Sequence, residues 1–305
     1  MRDLIFPPLS RLLLGVVLAC MALAAQAESR AVLVGVSDYT LLDADLQGPS
    51  SDVALMVETL AARGMPMAEM TVLVSDASGL PADLRQIAPP TRAAILQALG
   101  ETAARSAAGD TVVFYFSGHG GQAPDQSGDE GGGYDEIFLP ADAAGWKGTI
   151  GAVENAILDD ELWAWAQGLL AHGVKLVGII DACHADTGFR GQNALAVARG
   201  LNSEDLAIPP GTASTQTIAL APPLRGDFVF LYAAQSDQRA FEYPSGIDGR
   251  WHGEFTLRLA EALQSPADQS WAQVLRETTQ AMRQGPIPQM PDGEGPLLSA
   301  QVFGT

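Results

Sequence analysis

Two apolar runs in this chain end on residues that can do chemistry together. The run VKLVGIIDAC delivers Cys183, and VVFYFSGHG delivers His119. A thiol with a pKa near ~8.5 is only a few per cent thiolate at neutral pH, and the thiolate is the nucleophile. An imidazole within reach can take its proton. Attack on a carbonyl then creates an oxyanion that needs backbone donors, and the amides of Gly120 and of Cys183 itself are suitably placed. Gly118, Gly120 and Gly121 let the backbone approach a substrate closely. No Asn or Asp beside these motifs is an obvious third member, so a Cys183/His119 dyad is expected.

Both runs are short and β-branched, and they alternate with amphipathic segments. Strands are expected over 31–38, 70–76, 110–120, 174–183 and 227–234, with LLSAQVF near the end as a last one; helices are expected over 50–64, 91–108, 159–173, 252–264 and 270–283. Continuous apolar strands separated by helices imply an α/β fold with a mostly parallel central sheet and helices on both faces. Ligands bind beyond the carboxyl ends of such strands, which puts His119, Cys183 and the end of the first strand on one rim. Residues 120–133 and 188–226 read as loops, and a loop as long as the second is usually functional or disordered.

The first 27 residues read as an export signal. Arg2 and Arg11 flank a short start, LLLGVVLACMALAA follows, and Ala25-Gln26-Ala27 is a small-x-small cleavage site, so the mature chain is expected to begin at Glu28 in a periplasmic or secreted setting. Lipidation at Cys20 is the poorer fit, because Leu18, the position before the small Ala19, would normally be small itself. No later stretch reaches the roughly 18 apolar residues of a membrane span. Cys183 then has no internal partner for a disulfide, although the compartment is oxidising. The net charge of −19 argues against nucleic acid and anionic lipid, which need clustered Lys and Arg. Oligomeric state is not fixed by the sequence; a monomer is favoured.

With these residues in view, the chain resembles the caspase-like cysteine peptidases, nearest to metacaspases and their bacterial relatives. Phe114-Tyr115-Phe116-Ser117-Gly118-His119-Gly120-Gly121 and Asp181-Ala182-Cys183-His184 look like the paired His and Cys signatures. The likeness extends from VLVGVSDY through Leu46-Gln47-Gly48-Pro49-Ser50-Ser51-Asp52 to GEFTLRLAEAL. It implies a three-layer caspase-hemoglobinase fold over residues 28–305, endopeptidase activity, Cys183 as nucleophile and His119 as base. It further implies that Asp181 and Asp52, with Ser117 nearby, line a pocket for arginine or lysine, since carboxylates gain charge-assisted hydrogen bonds from such side chains. Protein or peptide substrates cut after Arg or Lys are therefore expected.

The same resemblance suggests calcium as an activator, at Asp159 and Asp160 with Asp135 as a looser match; no cofactor is required for the chemistry. Asp159 and Asp160 also suit a helix start. Asp125-x-Ser127-x-Asp129 resembles the opening of an EF-hand loop but has Glu130 where glycine is needed, so it reads as a solvated loop. Arg190, Arg199 and Arg225 lie in the long segment after the nucleophile and mark it as a processing linker, with self-cleavage expected foremost after Arg199. Two features depart from the family: Ala185-Asp186 follows Cys-His where Ser-Gly is usual, and Pro49 stands where cysteine is common. A pseudopeptidase scaffold with the same fold is thus the main alternative, and an α/β binding protein with an inert cysteine a second. His184 reads as structural, His172 and His252 as bystanders, Trp163 and Trp165 as packing residues, and Gln235-Ser236-Asp237-Gln238 as a border of the groove or a polar loop.

Overall fold

The computed structural model describes residues 27–128, 133–183, 196–212, 222–246, 248–265, 268–285 and 289–304. The leader up to Gln26, Asp129 and Glu130, and His184 with Ala185, Asp186 and Arg190 lie outside the described residues. In chain order the elements are β1 (Ser29–Gly35), α1 (Pro49–Ala62), β2 (Met70–Val74), β3 (Gln86–Ala88), α2 (Arg92–Arg105), β4 (Thr111–Ser117), β5 (Gly120–Pro124), β6 (Tyr134–Phe138), β7 (Trp146–Lys147), β8 (Ala152–Val153), β9 (Ile157–Leu158), α3 (Asp159–Ala171) and β10 (Lys175–Asp181). They continue with β11 (Val197–Ala198), β12 (Gly200–Leu201), β13 (Phe228–Tyr232), β14 (Phe241–Pro244), β15 (Trp251–Gly253), α4 (Glu254–Leu263), α5 (Trp271–Met282) and β16 (Asp292–Glu294).

Seven strands form the central sheet in the order β16-β13-β10-β4-β1-β2-β3, parallel except for β16. This is the mostly parallel α/β sheet that the apolar runs imply. Alternate residues of each strand face opposite layers. Leu33, Val72, Val113, Tyr115, Val177 and Ile179 pack with α1, α4 and α5. Val32, Val34, Leu73, Phe114, Phe116 and Ile180 pack on the other side, against Ile95, Ala98 and Leu99 of α2. Leu169 and Leu170 of α3 cover Val112 and Leu176 on that same side.

The helix ends follow local chemistry. Thr91 accepts a hydrogen bond from Ala94 N at 3.3 Å and starts α2, while Ser270 and Gln273 form a reciprocal cap on α5. Gly173, at φ +76°, turns the chain out of α3 toward β10. Inside β10, a Cβ at Gly178 would collide with the Phe230 ring on β13. Gly178→Ala is expected to lower stability by about 1–3 kcal/mol through overpacking, read as a lower urea midpoint at unchanged slope.

Three expectations are corrected. LLSAQVF is not a strand: Gly295 at φ +112° and Pro296 lead into a 3-10 turn over Pro296–Ser299, and the last strand is Asp292–Glu294 instead. Residues 120–133 are not simply a loop, because β5 pairs antiparallel with β6 in a second sheet of order β12-β5-β6-β9. The long segment also contributes structure: β11 pairs antiparallel with β14, β12 pairs parallel with β5, and Leu206 and Ile208 are buried. Among the described residues, no helix is long and apolar enough to cross a membrane.

Candidate active site

Register places the chemistry. Ser117 is the partner of both Gly35 and Asp181 across the neighbouring strands. His119 and Cys183 each follow one of that pair by two residues, so the two side chains emerge on the same rim of the sheet. Both are buried. Asp52 reaches the same place from the first turn of α1.

The group filling this rim is the chain's own Arg199. Its side chain is fully buried, with Nη2 at 2.6 Å from Asp52 Oδ2 and 3.3 Å from Glu242 Oε2, and Nη1 at 3.1 Å from Asp181 Oδ2. Nη1 also donates to Ser117 Oγ at 2.8 Å, and Ser117 donates in turn to Asp52 Oδ2 at 2.9 Å. The carboxylates are themselves held. Thr256 donates to Asp181 Oδ2 through its amide and its hydroxyl, and the amides of Gln47 and Gly48 donate to Glu242. Burial opposes charge on Arg199, yet the carboxylates around it keep it protonated. Burial would likewise raise the Asp52 carboxyl, but Arg199 and His252 hold it below the usual range. Burial raises Asp181, with Arg199 acting against it.

The backbone of Arg199 is as closely held as its side chain. Its carbonyl oxygen accepts from Cys183 N at 2.9 Å and from Gly120 N at 3.2 Å, and its own N–H donates to Ala240 O at 2.9 Å. Val197 and Ala198 run along β14 opposite Glu242 and Phe241, and Gly200 and Leu201 run along Gly120 and Gly121. The Arg199–Gly200 peptide therefore crosses the rim with its carbonyl on two backbone donors and its side chain among three carboxylates.

Cys183 and His119 are not hydrogen-bonded to one another here. The thiol donates to Ala240 O at 3.3 Å, and its sulfur accepts from Ala240 N at 3.0 Å. His119 Nε2 lies 2.8 Å from Ala44 O, a contact that places the ring proton on Nε2 and leaves a lone pair on the buried, unpartnered Nδ1. Tyr39 Oη accepts from His119 N at 2.7 Å and fixes the backbone there. Burial pushes the thiol up to about 12 and, against the Ala44 carbonyl, pulls the imidazole down to about 4. Both groups are thus neutral at pH 7: a thiol to be ionised and an imidazole able to accept a proton.

Two pocket residues escape a reading by motif. Glu242 belongs to no signature and comes into the pocket only because β14 crosses the rim. His252, read from sequence as a bystander, spans two carboxylates: Nδ1 lies 2.9 Å from Asp52 Oδ1 and Nε2 lies 3.0 Å from Asp248 Oδ2. Burial works against its charge, but Asp52 and Asp248 hold its pKa above the ordinary value. The signal available in sequence was its place next to Gly253, whose amide also donates to Asp52. Trp165 donates to Leu99 O and packs edge-on to Phe114, and Asp125 accepts from Gly128 N and Ser127 Oγ in a local turn.

Asp159 and Asp160 occupy the first turn of α3, and Asp135 lies in β6. No three His, Cys, Asp or Glu side chains among the described residues are gathered as a ready metal cage. Burial, with Glu136 and Asp135 adding to it, pushes Asp159 up to about 7. A raised carboxyl contributes stability that is full below its ordinary value of 3.8 and is lost as pH rises through about 7. Asp159→Asn is accordingly expected to raise the melting temperature at pH 8 and leave it nearly unchanged at pH 4.

Comparison with known proteins supplies the family and the fold. Residues 28–298 match the caspase-domain peptidase family. Metacaspase-1 of Pyricularia oryzae is 32% identical over 158 residues, covering 52% of this chain and 36% of that protein. Metacaspase-1A of Aspergillus niger is 35% identical over 159 residues, 51% of this chain and 35% of its own. The matched stretch thus spans about a third of these relatives. A Geobacter sulfurreducens protein of known crystal structure is 21% identical and shares the fold, with a TM-score of 0.61 over 90% of this chain and 98% of its own.

Proposed function

This chain belongs to the caspase-domain family of cysteine peptidases, and from that premise we propose that it is an endopeptidase cutting after Arg or Lys, whose first substrate is its own Arg199–Gly200 bond. The observation that carries this reading is Arg199 itself, a buried guanidinium among Asp52, Asp181 and Glu242 whose carbonyl sits on the amides of Gly120 and Cys183. A buried cation is retained only where it is paired. Three carboxylates gathered around one guanidinium suit a pocket that must hold a basic side chain arriving from outside.

In the reaction, the Cys183 thiol turns from Ala240 and gives its proton to His119 Nδ1, and the sulfur attacks the Arg199 carbonyl carbon. The tetrahedral oxyanion keeps the Gly120 and Cys183 amides as donors. The carbon–nitrogen bond then breaks, the Gly200 nitrogen takes the proton from the imidazolium, and Arg199 is left as a thioester on Cys183. Water, deprotonated by His119, hydrolyses the thioester and restores the thiol. Departure of residues 196–201 opens the pocket to other chains and returns water to the dyad, which lowers the cost of forming the thiolate and imidazolium.

Asp159, Asp160 and Asp135 would be the residues to hold calcium as an activator, brought closer together by the ion than they stand without it. The support is that Glu136 and Asp135 add their repulsion to the burial that raises the Asp159 carboxyl, since carboxylate oxygens are the donors calcium takes and a cation would relieve that repulsion. The export leader and a periplasmic or secreted location belong to the same reading, supported by the apolar start of the chain. The test is a fluorogenic Arg peptide assayed with and without calcium. Hydrolysis by wild type and none by Cys183→Ala is expected; equal rates in the two would defeat the assignment. Peptide hydrolysis also separates a working peptidase from a scaffold of the same fold.

A further inference from the structure

Resting on that reading, we propose that the position after the scissile bond is selective for glycine, so that the substrates of this enzyme are Arg–Gly bonds. A Cβ placed on Gly200 would lie 2.6 Å from Cys183 Cβ and 3.2 Å from Cys183 Sγ. Contacts under about 3 Å require something to move, and here neither partner is the free end of a long side chain. Cys183 Cβ is fixed by a backbone whose amide holds the Arg199 carbonyl.

The substrate strand has little freedom to shift away. Gly200 and Leu201 are paired with Gly120 and Gly121 of β5. That floor is bare backbone: a Cβ at Gly120 would run into the Cys183 carbonyl, and one at Gly121 would lie 2.9 Å from Leu201 O. Downstream, Leu206 is fully buried and its carbonyl accepts from Trp146 N at 2.7 Å. Gly200 is not one of the positive-φ glycines, so backbone conformation does not demand glycine there. The approach to the nucleophile does.

The sequence bears the same mark independently. Each arginine of the processing segment precedes glycine: Arg190-Gly191, Arg199-Gly200 and Arg225-Gly226. Elsewhere only Arg63 does so, and Gly64 there ends α1 at φ +90°. Gly226 also has a positive φ, of +133°, which makes Arg199–Gly200 the described bond whose glycine is explained by the thiol alone.

Internally quenched peptides Ala-Val-Ala-Arg-Xaa-Leu, built on residues 196–201, test this with the full chain after it has processed itself and with Cys183→Ala as control. With Xaa as Gly, Ala or Leu, kcat/KM is expected to fall about 10- to 200-fold for each step up in size. Equal cleavage of the three peptides would overturn the glycine preference while leaving an Arg-specific peptidase standing. Cleavage of none would overturn both. Within the chain, Gly200→Ala is expected to slow self-cleavage by the same order, and self-cleavage at the wild-type rate would contradict the proposal.

Discussion

Asp52→Asn is expected to lower kcat/KM for peptides with Arg before the scissile bond by roughly 30-fold to several thousand-fold, as for truncating one partner of a desolvated charge pair. The substitution keeps the shape and removes the charge. Asp52 Oδ2 is the nearest carboxylate oxygen to the guanidinium, at 2.6 Å, and it also accepts from Ser117. The loss should fall on binding and turnover of basic substrates while the dyad, formed by other residues, is untouched. Thiol alkylation in an Arg199→Ala background, which needs no self-cleavage to open the pocket, therefore separates the cases: an unchanged iodoacetamide rate with lost Arg hydrolysis places Asp52 in the pocket. A parallel fall in both would mean that the variant is misfolded.

Arg199→Ala is expected to act in two ways at once. It removes the basic side chain that marks the bond for cutting and leaves Asp52, Asp181 and Glu242 buried without their counter-charge. Breaking a buried ion pair from one side costs about 3–5 kcal/mol, and the chain limits that cost by releasing residues 196–201 so that water reaches the carboxylates. The variant should therefore be less stable to urea, open to added subtilisin near residue 199, and free of any lag in hydrolysing Arg peptides. Wild type, by contrast, should show a lag that follows its own cleavage. An identical lag in the two proteins would mean that Arg199 does not block the pocket.

Much of the architecture was legible because the strands are apolar runs with caps at the intervening helices. The order of the sheet was not, since pairing depends on packing between distant residues. Ser117 and Asp181 could be paired as pocket residues through their motifs, and register supplies the reason they meet. Arg199 was also legible as a residue of interest, since it stood out as a basic residue soon after Cys183. What sequence did not carry was its burial: two-residue strands such as Val197–Ala198 and Gly200–Leu201 have no periodicity to read, and they exist only because β14 and β5 present edges to them. Glu242 and His252 were hidden for a related reason. They reach Arg199 and Asp52 across 43 and 200 positions of chain, and neither sits in a signature.

The most direct measurement is the intact mass and new N-terminus of the purified full-length protein on incubation, beside its Cys183→Ala counterpart. Wild type should yield one fragment ending at Arg199 and another beginning at Gly200, while Cys183→Ala stays whole. A wild-type chain that remains uncut, or a Cys183→Ala chain that breaks at the same bond at the same rate, would contradict the claim that Cys183 attacks the peptide lying across it.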